Sequence, residues 1–218
     1  MGLEQLLDLE KANEELKIMS PNERVIWAYE IFGRYLVLST SGGQTSAILP
    51  HLVKDAFIKA NPKIDYLPLI IFIEILYYKK PTYDMVQEIM EMGHTVRVYS
   101  PLVSKDNIGE RYPEWWNRDS KYFDLVVGII KREPLKRALS ELKAKSWMSG
   151  VMRWETKERS NMQLVEYKDG IYRLHPICDL DAMQASAYIK KHSLPVNAKH
   201  FDITKGPDQQ FECGIHTM

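Results

Sequence analysis

A short apolar run that ends in small hydroxylic and glycine residues and then enters an amphipathic helix leaves a chain few folds to adopt. Residues 35–60 are such a segment. Tyr35-Leu-Val-Leu-Ser39 is continuous and apolar, Thr40-Ser-Gly-Gly43 is a turn, and Ile48, Leu52, Val53, Ala56 and Phe57 share one face of a helix predicted from Ala47 to Ala60. Pro50 falls near the start of that helix, where a missing N–H costs least. The pattern recurs: a buried strand over Leu67–Ile73, a helix over Thr82–Met92 and a strand over His94–Ser100. Further on, Glu133-Pro134 opens a helix through Lys145, and Trp147–Val151 is the next strand. Lys168-Asp169-Gly170 joins two strand-like runs as a hairpin, and Asp179 caps a last helix running to about His192. Alternating strands and helices predict an α/β fold, a doubly wound, mostly parallel sheet with helices on both faces. Two helices precede it, and no periodicity survives from Pro195 to Met218.

Composition excludes several classes of function. The 218 residues carry 29 Lys+Arg against 29 Asp+Glu, so no global charge draws the chain to nucleic acid or an anionic membrane. An anion must be held by a local site, and nucleic acid is not expected as a partner. Cys178 and Cys213 could close one disulfide at most and cannot supply the four thiolates of a conventional iron–sulfur cluster. No resident metal is expected. The apolar run Leu67–Leu76 is far shorter than the ~20 residues of a membrane span. Met1–Lys17 lacks the basic and apolar segments of a secretory signal. The expectation is a cytoplasmic protein, in a reducing compartment where a thiol can stay free.

Three segments could carry chemistry. Ser39, Thr40, Ser41, Gly42, Gly43, Gln44, Thr45 and Ser46 stand between a strand and a helix, where glycines let the backbone approach an anion and the helix N-terminus supplies N–H groups. The bland alternative is a turn that only caps the helix. It is neither a Walker loop nor the dinucleotide glycine pattern. In Glu212-Cys213-Gly214-Ile215-His216 a nearby imidazole could favour the thiolate, although a lone cysteine is usually inert. Cys178 reads as a small buried hydrophobe. Arg153 and Arg159 follow a strand's C-terminal end and could fork onto phosphate or sulfate oxygens, or else pair with carboxylates in a solvated loop. Trp115-Trp116 reads as core filling beneath a long segment from Leu102 to Tyr122.

Taken in order, these segments resemble the phosphoadenylyl-sulfate (PAPS) reductase family, of the adenine-nucleotide α-hydrolase-like fold shared with ATP pyrophosphatases. The resemblance covers about Tyr35 to Met218. It rests on Val37–Gly43 followed by His51-Leu-Val53, on Glu133–Leu139 leading into Trp147, on Gly150 with Arg153 and Arg159, and above all on Glu212-Cys-Gly-Ile-His216. It implies a nucleotide-binding α/β domain over 33–194 and a catalytic tail over 195–218, after the N-terminal helices that residue spacing itself predicts over 1–32. Cys213 would be the nucleophile and His216 its helper, while Ser39–Ser46 would hold the nucleotide's phosphates and Arg153 and Arg159 the sulfate or phosphate oxygens. The substrate would be PAPS or a related adenine nucleotide, the reductant thioredoxin or glutaredoxin, and the assembly a homodimer. No iron–sulfur cluster is implied, which favours the phosphorylated substrate. Two departures stand out. The family's second-strand exit, Asp-Thr-Gly or Asn-Thr-Gly, is here Glu74-Ile75-Leu76, and Ser41-Gly-Gly-Gln-Thr-Ser46 has the Ser-Gly-Gly-x-x-Ser form of ATP pyrophosphatases. An ATP-using enzyme requiring Mg²⁺, or a non-catalytic nucleotide-binding module, are the alternatives.

Overall fold

The computed structural model describes residues 7–60 and 67–205. Two helices come first, α1 (Leu9–Ile18) and α2 (Pro21–Phe32). The second is opened by a capping box, in which the Ser20 hydroxyl accepts from the Glu23 N–H and the Glu23 carboxylate accepts from the Ser20 N–H. Then follow β1 (Leu36–Thr40), α3 (Ile48–Ala60), β2 (Ile70–Ile73), α4 (Lys80–Glu91), β3 (Val96–Tyr99), α5 (Lys105–Arg111), α6 (Phe123–Val127) and α7 (Glu133–Glu141). The last elements are β4 (Ser146–Ser149), β5 (Val165–Lys168), β6 (Ile171–Leu174) and α8 (Ala182–Lys191).

The six strands form one sheet in the order β3-β2-β1-β4-β6-β5, parallel except where β5 turns back on β6. Asp169 and Gly170 make that turn with φ of 54° and 79°, the conformation that a two-residue Asp-Gly hairpin favours. Side chains alternate across the sheet, so one strand feeds two cores. Leu36, Leu38, Ile70, Met148 and Leu174 pack with residues of α1, α2, α3 and α8, whereas Val37, Ile71, Ile73, Trp147 and Ile171 pack with α6 and α7. Helices on both faces follow from this alternation. The exposed edge of β5 is met by α1: the Asn13 carboxamide donates to the Val165 carbonyl at 2.8 Å and accepts from the Val165 N–H at 3.1 Å.

Three local expectations change. Glu133-Pro134 starts α7 as expected, but on helical backbone that already runs from Phe123 through a widened turn over Gly128–Arg132, and α7 ends at Glu141 rather than Lys145. The Glu133 N–H bonds the Gly128 carbonyl, five residues back. Pro134 lacks an N–H and its ring would crowd the carbonyl of Ile130, and the wider turn accommodates both. Asp179 does not cap α8. Asp181 does so, accepting from the Gln184 N–H at 2.7 Å, while Asp179 makes a two-pronged ion pair with the buried Arg24, each contact 2.7 Å. Of the tryptophan pair, Trp115 fills the core but Trp116 is half exposed. Among the described residues no helix is long and apolar enough to cross a membrane.

Candidate active site

β1 has β2 on one side and β4 on the other, so connections leave it in opposite directions. Ligands of open α/β sheets bind in the crevice that such a switch point leaves beyond the strands' C-terminal ends. Here that crevice is lined by Ser39–Ser41, Gly43–Ser46, Leu49, Ser149, Gly150, Val151 and Glu155. The loop on its first wall is closed by its own hydroxyls. Thr40 Oγ1 accepts from the Gly42 N–H at 3.3 Å and Ser46 Oγ from the Gly43 N–H at 2.7 Å, with Ser41 Oγ 3.3 Å from Ser46 Oγ. The Ser39 hydroxyl accepts from the Trp147 indole N–H at 2.8 Å, tying the loop's root to β4. Gly42 is required by geometry. Its φ is +63°, and a Cβ there would lie 2.8 Å from Thr82 Cγ2 and 2.9 Å from the Thr82 carbonyl oxygen.

The second wall comes from the exit of β4. Two short turns, Arg153–Glu155 and Lys157–Arg159, follow it, and the residue they bring to the crevice is Glu155. Arg159 is buried and its guanidinium is 2.6 Å from the Glu155 carboxylate, while Arg153 donates from Nε to the Met162 carbonyl at 2.8 Å. Neither arginine is among the residues that line the crevice, and part of each one's donor set is already engaged. Burial pushes the Glu155 carboxyl up, against the opposing pull of the Met152 N–H and the charges of Arg159 and Lys205.

The segment after α8 braces the loop. Asn197 Nδ2 donates to the Gly42 carbonyl at 2.7 Å, and His200 Nδ1 lies 3.3 Å from Thr82 Oγ1. Farther along, Lys131 of the widened turn meets Asp202 and Thr204, both at 2.5 Å, with Lys131 and Asp202 almost wholly buried. Sequence reading missed these residues. Asn197, His200 and Asp202 stand in a stretch without periodicity, and Lys131 looks like one more cation in a charged helical run. Ser149 had a signal, a small polar residue ahead of Gly150 at a strand's end.

Residues 35–202 match the family described as the phosphoadenosine phosphosulfate reductase domain. The chain belongs to that family. The phosphoadenosine 5′-phosphosulfate reductase of Proteus mirabilis is 32% identical over 193 residues, 88% of this chain and 76% of that one. Among solved structures, phosphoadenylyl-sulfate reductase from Candida auris in a phosphate complex matches with a TM-score of 0.71 and 25% identity, covering 88% of this chain and 90% of that one. An NH₃-dependent NAD synthetase from Campylobacter jejuni matches with a TM-score of 0.53 at 15% identity, covering 86% of this chain and 75% of that one. That second likeness is one of fold alone.

Set against this reductase family, the altered exit of β2 has a physical account. Leu76 takes φ of +69°, a left-handed conformation that glycine adopts at no steric cost and that an L side chain resists by roughly 1–2 kcal/mol. Glu74 compensates by accepting from the Leu76 N–H at 2.5 Å, so the exit is closed by its own carboxylate. Ile75 between them is buried. Cys178 is also buried, and burial pushes its thiol up to about 11, which keeps it protonated and poorly nucleophilic at neutral pH. Cys213 and His216 lie outside the described residues.

Proposed function

We propose that the protein reduces 3′-phosphoadenylyl sulfate to sulfite, releasing adenosine 3′,5′-bisphosphate. The observation that carries this reading is the Ser39–Ser46 loop at the β1/β4 switch point, in a chain that matches the reductase family over residues 35–202. The loop and the N-terminus of α3 suit the nucleotide's phosphates, and Arg153 and Arg159 are assigned to the sulfate or phosphate oxygens. The Cys213 thiolate attacks the sulfur of the substrate, the sulfur–oxygen bond to the phosphate breaks, and its electron pair leaves with the nucleotide. A cysteine S-sulfonate remains. A thiolate of thioredoxin or glutaredoxin then attacks Cys213 Sγ, expels sulfite with the bonding pair and forms a mixed disulfide, which the carrier's second thiol resolves. His216 is assigned to support of the thiolate. Both steps are displacements at sulfur, so no resident cofactor is invoked.

The test is sulfite release from PAPS with reduced thioredoxin, together with intact-mass measurement after PAPS alone. The expected results are turnover and an added SO₃, both abolished by Cys213→Ser. Pyrophosphate release from ATP and Mg²⁺, undiminished in Cys213→Ser and without sulfite formation from PAPS, would replace this reading with an adenylating enzyme.

A further inference from the structure

Three side chains form a relay from the crevice to the surface that the steps above leave unused. Ser149 Oγ, on the crevice wall, lies 2.9 Å from His175 Nδ1, and His175 Nε2 lies 3.2 Å from Glu166 Oε1. Ser149 and His175 are buried, while the Glu166 side chain is 40% exposed. The sheet dictates the alignment. Trp147 pairs with Arg173 across β4 and β6, and Arg173 with Glu166 across β6 and β5, so two residues further along each parallel strand Ser149 and His175 share that face.

The direction of the relay follows from its open end. A carboxylate can only accept, so Glu166 fixes the ring proton on Nε2. Burial disfavours the charged imidazolium, and the hydrogen bond from His175 holds the Glu166 carboxyl below its usual range. A neutral ring protonated at Nε2 has a bare Nδ1, which accepts from the Ser149 O–H. The serine's single proton is thereby committed, and lone pairs are what it offers the crevice.

We infer that Ser149 is a specificity-determining contact that accepts a hydrogen bond from an O–H or N–H of the bound nucleotide, a ribose hydroxyl or the exocyclic amine, with His175 and Glu166 as positioning residues. This rests on the reading of the crevice as a nucleotide site. The crevice is then divided by polarity. Its loop end, backed by the N-terminus of α3, suits phosphate oxygens, and at Ser149 the wall offers an acceptor that a phosphate oxygen would meet unfavourably. The division sets which way round the ligand lies.

Two measurements test it. Nitrogen-15 correlation spectra of the ligand-free protein at pH 7, with the His175 signals assigned through His175→Gln, should show a pyrrole-type Nε2 and a pyridine-type Nδ1. The opposite tautomer, or an imidazolium, overturns the inference and leaves the reductase reading untouched. Calorimetric titration with adenosine 3′,5′-bisphosphate, its 2′-deoxy analogue and its analogue lacking the amine is the second. Ser149→Ala should weaken the parent nucleotide about tenfold, the worth of one good hydrogen bond. One analogue should bind the wild-type protein weaker by the same factor and should not distinguish it from Ser149→Ala. Glu166→Ala should weaken the parent too, whereas Glu166→Gln, whose amide oxygen still accepts from Nε2, should restore it. Equal weakening of all three ligands by Ser149→Ala, or none, overturns the inference. Failure of the wild-type protein to bind the parent nucleotide overturns the underlying nucleotide reading as well, a case set apart because the tautomer is read without ligand.

Discussion

Gly42 shows how tightly one position can be specified. Its left-handed backbone turns the carbonyl toward Asn197 and brings the main chain against Thr82 with no room for a Cβ. Gly42→Ala combines about 1–2 kcal/mol of backbone strain with a backbone clash, so the expected loss of stability is at least ~2 kcal/mol. A urea midpoint equal to the wild type's would refute that. The glycines and hydroxyls of this loop were legible in the sequence because strand, turn and helix are contiguous there. Asn197 and His200 were not, since each reaches the loop through tertiary contacts that sequence spacing does not encode. Arg153 and Arg159 were found as cations near a strand's end, but their engagement with Met162 and Glu155 depends on two short turns that carry no periodic signal.

At the level of elements, strands and helices were legible by their periods and the joints between them were not. The run from Phe123 to Glu141 reads as a helix beginning at Glu133-Pro134 because proline commonly starts helices. The alternative solution, a wider turn over the five residues before Glu133, leaves no mark in the sequence. The cover over β5 was equally hidden, since Asn13 is one polar residue on an otherwise ordinary helix. Its carboxamide satisfies both backbone groups of Val165, which are buried. Asn13→Ala leaves two such groups without this partner at about 1–3 kcal/mol each, and the expected destabilisation is on the order of 2–4 kcal/mol. Hydrogen exchange at the Val165 amide should accelerate more than exchange in β1. A uniform change across the sheet would argue against a local role for Asn13.

Across the whole molecule, the strand order places the loop, Ser149 and Glu155 around one crevice, and the segment after α8 locks to the opposite core through Lys131 and Asp202. Burial alone would raise the Asp202 carboxyl, but the charges of Lys131 and Lys205 outweigh it and hold the group at about 2. An unfolded Asp titrates near 4. The unfolded chain therefore binds more protons between these values, so this contribution is fully present above about pH 4 and is lost as pH falls through 4 toward 2. Asp202→Asn should flatten the dependence of urea midpoint on pH in that window and lower the midpoint at pH 7, where Lys131 is left buried without its counter-charge. An unchanged acid slope would show that this pair does not govern acid unfolding.

The same lock determines the leash length of the chain that continues from it. Lys205 is buried and its charge is felt at Glu155 in the crevice wall. Cys213 follows eight residues later. Eight residues reach at most about 28 Å, so the proposed nucleophile is tethered within that radius of the lock. On the mechanism proposed above, its encounter with a bound substrate is intramolecular, whatever the concentration of the protein in solution.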